Sequence, residues 1–224
     1  MEQHATEIAS RGPSTLFVIP CSGDKAEGGA SSLGGKGSLV DLLPNDLARR
    51  LGEARHHLAA RCGLDESRLL PAWQRYVGNL YVATEGALGH AVRSQHPVVI
   101  ISGGYGLVVA EEPIGKYNRV FSLADWPPGL LEACLVTVTR RLGVDRVLAF
   151  CARTSDYAKL VRRVKWHQVG VEAVLVLPDL RGAGGAQVLV PRASGEALKA
   201  ALEGSLTTTW HSADGTEVRT ERLP

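Results

Sequence analysis

Pro97-Val98-Val99-Ile100-Ile101-Ser102 is an unbroken apolar run of strand length that ends on a hydroxyl and opens into Gly103-Gly104-Tyr105-Gly106. A strand with one wet face alternates apolar and polar residues. One covered by helices on both faces reads as a continuous run, so residues 97–102 predict a buried strand of a parallel sheet. Thr15-Leu16-Phe17-Val18-Ile19-Pro20 has the same character and runs into Cys21-Ser22-Gly23-Asp24-Lys25. Residues 146–151 and 172–177 supply two more such strands. Between them the spacing turns helical: Leu43, Leu47, Leu51, Ala54, Leu58 and Ala59 mark a helix over 41–62 that Gly63 ends, and further helices are expected after Asp65 and over 78–94, 128–142 and 155–166. Strand and helix alternate. That order predicts a single α/β domain with a mostly parallel central sheet flanked by helices.

The remainder of the chain is less regular. Residues 27–38 are rich in glycine and serine without hydrophobic period and predict a mobile loop, either a lid or dispensable. Gly182-Ala183-Gly184-Gly185 reads as a loop, 186–190 as an edge strand and 195–203 as a short helix. Residues 206–211 and 216–220, around Asp214-Gly215, carry a hairpin signal. The α/β domain is expected over 15–204, after a flexible N-terminus (1–14) and before a C-terminal hairpin or tail (205–224).

With 224 residues, 45% hydrophobic and 21% charged, the chain can bury a real core. Its apolar runs fall far short of the roughly 20 residues that span a bilayer, and the polar start lacks the pattern of a secretory signal, so a cytoplasmic protein is expected. Cys21, Cys62, Cys134 and Cys151 form no CxxC pair, and the histidines show no ligand spacing. Reduced thiols, no metal and no cofactor are expected. The net charge of +2 is uninformative, but residues 140–165 hold Arg140, Arg141, Arg146, Arg153, Lys159, Arg162, Arg163 and Lys165 against Asp145 and Asp156. Such a surface attracts phosphates or is simply a solvated helix face.

Three polar clusters sit at predicted strand ends, where open α/β sheets place ligands: 21–25, 102–117 and 151–157. The first joins small residues, a thiol and an ammonium in a setting suited to an anion, without the spacing of a triphosphatase loop. The second combines Ser102, Gly103, Gly104, Gly106, Tyr105, Tyr117 and the acids Glu111 and Glu112. A carboxylate beside two phenols and a serine suits a heterocyclic base: Tyr105 or Tyr117 stacks on the ring, and Glu112 accepts hydrogen bonds or stabilises positive charge on a sugar as a glycosidic bond breaks. Lys25, Arg119 or Arg153 would hold a phosphate. In the third cluster Thr154 or Ser155 reads as a helix cap, with Arg153 left over to bridge to Glu112.

Taken together, Cys21-Ser22-Gly23-Asp24-Lys25, Leu80-Tyr81 and the stretch from Ser102 through Tyr105-Gly106-Leu107 to Tyr117 resemble the YaaA-like superfamily over roughly residues 15 to 166. The resemblance matches Lys25 to the lysine of the family's first motif. Ser102, Tyr105 and Gly106 match its second, Glu112 its acid and Tyr117 its closing tyrosine. Asn118 departs from the Arg or Asp that commonly follows. It implies a nucleotide- or nucleic-acid-binding α/β protein, and relatives that modify or excise nucleobases extend this to cleavage or exchange of an N-glycosidic bond. The expected site has Glu112, Tyr105 and Lys25 as catalytic groups, and Cys21, Ser22, Gly23, Tyr81, Ser102, Gly103, Gly104, Gly106, Tyr117 and Arg153 as ligand contacts. Two other readings stand beside it: a noncatalytic DNA-binding protein of peroxide stress, and a hydrolase that uses Cys21 or Cys151 as nucleophile.

Overall fold

A computed structural model describes residues 14–33, 37–180 and 185–224. The expected flexible N-terminus up to residue 13, Gly34 and Gly35 of the glycine-rich stretch, and residues 182–184 of the later loop lie outside the described residues. The elements, in chain order, begin with β1 (Thr15–Pro20), a 3-10 turn (Leu39–Leu42), α1 (Asn45–Cys62), β2 (Asp65–Pro71) and three short helices, α2 (Ala72–Arg75), α3 (Asn79–Ala83) and α4 (Ala87–Arg93). Then come β3 (Val98–Ser102), β4 (Gly106–Val109), β5 (Pro113–Lys116), α5 (Leu130–Leu142), β6 (Arg146–Phe150), α6 (Asp156–Arg163), β7 (Glu172–Asp179), α7 (Ala186–Leu202), β8 (Thr209–His211) and β9 (Glu217–Arg222).

The main sheet runs β4-β3-β1-β6-β7-β9-β8. Its centre, β3-β1-β6-β7, is parallel, as continuous apolar runs require, and each of these four strands has its middle residues buried. The edges are antiparallel: β4 folds back on β3, and the C-terminal hairpin β8-β9 extends the sheet from β7. The domain is thus a single α/β fold with a mixed, centrally parallel sheet. Helices α1, α5 and α6 form one packed group beside it and α3, α4 and α7 another. None of the described helices is long and apolar enough to cross a membrane.

The expected helix after Asp65 is instead β2, an exposed strand that pairs with β5 in a separate two-stranded sheet. Its polar face hid it, because the pairing buries only its last residues. The helix expected over 78–94 is split where Glu85 and Gly86 adopt positive φ of 49° and 88°. The edge strand expected over 186–190 is the first part of α7, which carries Pro191 within it. Ala193, Ala197 and Leu198 bury its later turns, so packing overrides the strand propensity of Val188, Leu189 and Val190.

The glycine-rich segment is tied down more than its composition predicts. Ala30 exchanges backbone hydrogen bonds with Leu69 at 3.0 and 2.7 Å. The fully buried Arg75 guanidinium donates to the carbonyls of Ala26, Gly28 and Arg68. An arginine needs several acceptors to be buried at acceptable cost, and the loop carbonyls supply them.

Candidate active site at the carboxyl ends of β1 and β6

In the parallel part of the sheet the chain passes from β1 to β3 on one side and then to β6 on the other. The β1/β6 boundary is therefore the point at which strand order reverses, and crevices of open α/β sheets form there. A cleft of about 260 Å³ occupies it. Pro20, Cys21, Ser22, Gly23 and Asp24 line it from the end of β1, and Cys151, Ala152, Ser155 and Tyr157 from the end of β6 and the start of α6. Gly78, Asn79 and Leu80 close it from α3, and Gln187, Val190, Pro191 and Ser194 from α7. Two of the three strand-end clusters read in the sequence thus share one cavity.

Local chemistry shapes its wall. Cys21 N–H still donates to Ile101 O at 2.9 Å, after which the chain leaves the sheet. Ser22 Oγ then accepts Asp24 N–H at 3.0 Å, making a serine turn, while the Ser22 and Gly23 N–H groups have no acceptor among the described residues. Gly78 abuts this turn so closely that a Cβ there would lie 2.1 Å from Ser22 Oγ. Ser155 caps α6 as expected, its Oγ accepting Ala158 N–H at 3.3 Å. Cys21 Sγ lies 3.2 Å from Tyr157 OH, and Tyr157 stacks on Phe121 with centroids 5.0 Å apart. Cys21 is half-buried; Cys151 is buried, and desolvation pushes its thiol up to about 12. Among the described residues Asp24 is the single charged residue lining the cleft.

Behind this wall lies a phenol cluster of Tyr76, Tyr81, Tyr105 and Tyr117, four of the five tyrosines of the chain. Tyr76 OH, Tyr117 OH and Ser102 Oγ form a closed triangle with sides of 2.9, 3.0 and 3.0 Å. Tyr81 OH donates to Pro20 O at 2.9 Å, and the Tyr76 and Tyr81 rings are 5.5 Å apart. Lys25 Nζ sits 4.1 Å from the centre of the Tyr117 ring and donates to Ser22 O and Gly23 O. Burial pulls the Lys25 ammonium below the usual lysine range, and burial holds every one of the five phenols above the usual tyrosine range. Lys25, Ser102, Tyr81 and Tyr117 are therefore brought together, as a support under the β1 turn rather than as lining of the cleft.

Several expected site residues have other work. Glu112 is buried, and its carboxylate accepts Ser38 Oγ at 2.7 Å, Leu39 N–H at 2.8 Å, Arg55 Nη1 at 2.9 Å and Val109 N–H at 3.3 Å. Four donors from the chain engage it, which gives Glu112 a role in holding the fold, and it does not line the cleft. Tyr105 OH donates to Glu66 Oε1 at 2.8 Å and accepts Gly115 N–H at 2.9 Å, joining β4 to the two-stranded sheet. It too lies outside the cleft. The glycines of the second cluster permit close packing: a Cβ on Gly103 would lie 2.2 Å from Arg119 O, one on Gly104 2.7 Å from the Tyr117 ring, and one on Gly106 2.9 Å from Trp126. Half of the stretch from 102 to 117 is strand, in β4 and β5.

Arg153 is exposed and does not reach Glu112; its carbonyl accepts Arg162 Nη1 at 2.8 Å. Arg119 is held by Asp125 at 2.8 and 2.6 Å, which withdraws it from phosphate binding. Of the basic segment, Arg146 pairs with Glu172, Arg162 with Glu221 and Lys159 with Asp156, so part of its charge is neutralised in place. Among the described residues no group of three or more His, Cys, Asp or Glu side chains is arranged to hold a metal ion. Sequence reasoning missed Asn79, Gln187 and Ser194 in the cleft, Tyr76 behind it, and the Arg55 partner of Glu112. A helix N-terminus at Asn79 was the one legible hint, since Gly78 was read as the start of a helix. No protein-family model and no curated protein matches the chain.

Proposed function

We propose that this chain is a protein of YaaA-like type whose β1/β6 cleft binds a nucleotide or the nucleotide unit of a nucleic acid. One observation carries the reading: strand-end residues 21–24 and 151–157 converge on a cavity at the reversal of strand order, where backbone donors of Ser22 and Gly23 have no acceptor among the described residues. The walls supply what a base and sugar need. Leu80, Val190 and Pro191 offer apolar surface, and Asn79, Gln187, Ser155 and Ser194 offer donors and acceptors. The motif residues Lys25, Ser102 and Tyr117 act on this reading by fixing the β1 turn. Extension to N-glycosidic cleavage or exchange requires a carboxylate at the ligand, and Asp24 is the acid that lines the cleft.

A thermal-shift screen against nucleosides, nucleoside monophosphates, and single-stranded and duplex oligonucleotides tests the reading, with chromatography of each mixture for released base. A ligand at about 100 times its dissociation constant adds about 2.7 kcal/mol of stability. Stabilisation by a mononucleoside or mononucleotide supports the cleft as its site, and released base adds the glycosidic activity. Stabilisation by oligonucleotides alone, falling steeply with salt, supports a DNA-binding role on the basic segment instead.

A second reading rests on Cys21. It is the half-buried thiol of the cleft, beside Tyr157 OH at 3.2 Å, which suits a nucleophile. Cys151, the other thiol considered, is withdrawn by its burial. Loss of turnover in Cys21→Ser with ligand binding retained supports the hydrolase reading; full turnover removes it.

A further inference from the structure

We propose that the β1/β6 cleft takes an unphosphorylated ribonucleoside, with Asp24 accepting the sugar hydroxyls, rather than a nucleoside di- or triphosphate. The inference rests on the reading above for the base and sugar and departs from it, on charge and size, in leaving out the phosphate.

The lining is neutral except for one negative charge. Among the described residues no Lys or Arg lines the cleft; its polar groups are the Ser22, Ser155 and Ser194 hydroxyls, the Asn79 and Gln187 amides, the Cys21 thiol and the Tyr157 phenol. Lys25, the cation closest in sequence, spends its ammonium on the carbonyls of Ser22 and Gly23 and on the face of Tyr117. Arg119 and Arg162 are committed to Asp125 and Glu221. Asp24 is exposed at the mouth, and its carboxylate makes no ion pair or hydrogen bond among the described residues. A phosphate placed against Ser22 and Gly23 N–H would therefore meet the Asp24 carboxylate one residue away, with the Lys25 ammonium behind the turn as the opposing charge and no lining cation among the described residues for further phosphates. Like charges so placed repel, and each further phosphate adds to the cost.

The same lining suits a neutral ligand. An ionised carboxylate is an acceptor with two oxygens, the complement of two neighbouring hydroxyls, as in the carboxylates that hold the ribose of dinucleotides. Side-chain amides present a donor and an acceptor side by side, which matches the edge of a base. A volume of about 260 Å³ lies just below the usual range for small-molecule sites, the scale of one base and sugar. Asp24 also has the sign required to favour positive charge growing on a sugar, so a cleft that repels phosphate remains compatible with glycosidic chemistry.

Calorimetric titration of the full chain with the common ribonucleosides, their 2′-deoxy forms, 5′-monophosphates and 5′-triphosphates tests this, together with Asp24→Asn. The variant changes one exposed side chain, and circular dichroism verifies its fold. The expected result is one ribonucleoside binding at least about tenfold tighter than its 2′-deoxy form and its triphosphate, with both gaps narrowed in Asp24→Asn. A triphosphate binding as tightly as the nucleoside, or tighter, overturns the inference and leaves the nucleotide reading standing. Equal affinity for ribo and deoxy forms removes Asp24 from the sugar. Binding of none of these ligands overturns the nucleotide reading itself.

Discussion

Arg55 Nη1 lies 2.9 Å from Glu112 Oε1, with both side chains largely withdrawn from solvent. The same guanidinium donates to the carbonyls of Tyr105 at 2.9 Å and Leu107 at 2.5 Å, so one residue of α1 fastens the turn into β4, β4 itself and the acid that follows it. Removing one partner of such a pair leaves a buried charge unmatched, at a cost of about 3–5 kcal/mol. Glu112→Gln is expected near the lower end, about 3 kcal/mol, because the amide oxygen still accepts. Denaturant unfolding should show this loss, with a melting temperature lower by about 6–12 °C. Ligand affinity of the folded fraction should be unchanged. A catalytic Glu112 would give the reverse, full stability with lost turnover.

Alkaline stability follows from the phenol cluster. All five tyrosines are held above their usual range, so the folded chain keeps protons that the unfolded chain gives up near pH 10. A raised native pKa contributes stability that is complete below the unfolded value and is lost as pH rises through the native one. Each phenol therefore removes about 1.4 kcal/mol per pH unit above about pH 10. The thiols of Cys134 and Cys151, both pushed up to about 12, act with the same sign from about pH 8.5. Lys25 acts oppositely: its native value is lowered, so its penalty is relieved as pH rises towards the unfolded lysine value of about 10.4. The sum is a steep fall. Urea midpoints between about pH 8 and 11 should record it, and Tyr81→Phe should shallow the slope above about pH 10.

Thiol reactivity should separate one cysteine from three. Cys21 is half-buried in the cleft, whereas Cys62, Cys134 and Cys151 are buried. Iodoacetamide under native conditions should label Cys21 first, read by peptide mass spectrometry, and a cleft ligand should slow that labelling. Equal labelling of Cys151 would show that β6 opens more readily than its packing implies.

Helix α7 reaches the cleft only because its neighbour comes unusually close. A Cβ at Gly195 would lie 2.1 Å from the backbone oxygen of Leu80, in α3. Backbone cannot rotate aside, so Gly195→Ala must push the two helices apart. A loss of about 1–3 kcal/mol is expected, the usual cost of overpacking. Ligand affinity should fall with it, since Asn79 and Ser194 sit on the two helices that separate.

What the sequence made legible were features that local chemistry decides. β1, β3, β6 and β7 announce themselves as continuous apolar runs, Gly63 ends α1 with a φ of 61°, and Ser155 caps α6. The C-terminal hairpin also lies where Asp214-Gly215 placed it. What it concealed depends on partners far along the chain. β2 is polar because only β5, over 40 residues on, completes it. Glu112 looked like a loop acid available for chemistry until Arg55 and Ser38, 57 and 74 residues away, were folded against it. The glycines at 103, 104 and 106, expected as ligand contacts, serve close packing, because Tyr117, Arg119 and Trp126 come back over them. Asn79 and Gln187 carry no motif and enter the cleft only through the α3–α7 contact.

The most direct measurement is amide hydrogen exchange of the full chain, alone and saturated with the ligand that the titration identifies. The Ser22 and Gly23 N–H groups, without an acceptor among the described residues, should exchange fast in the free protein. Ligand should slow peptides covering residues 21–24, 78–80 and 152–155 and leave those covering 111–117 unchanged. Protection of 111–117 with no change at 21–24 would place the ligand at Glu112 and contradict the β1/β6 cleft as the site.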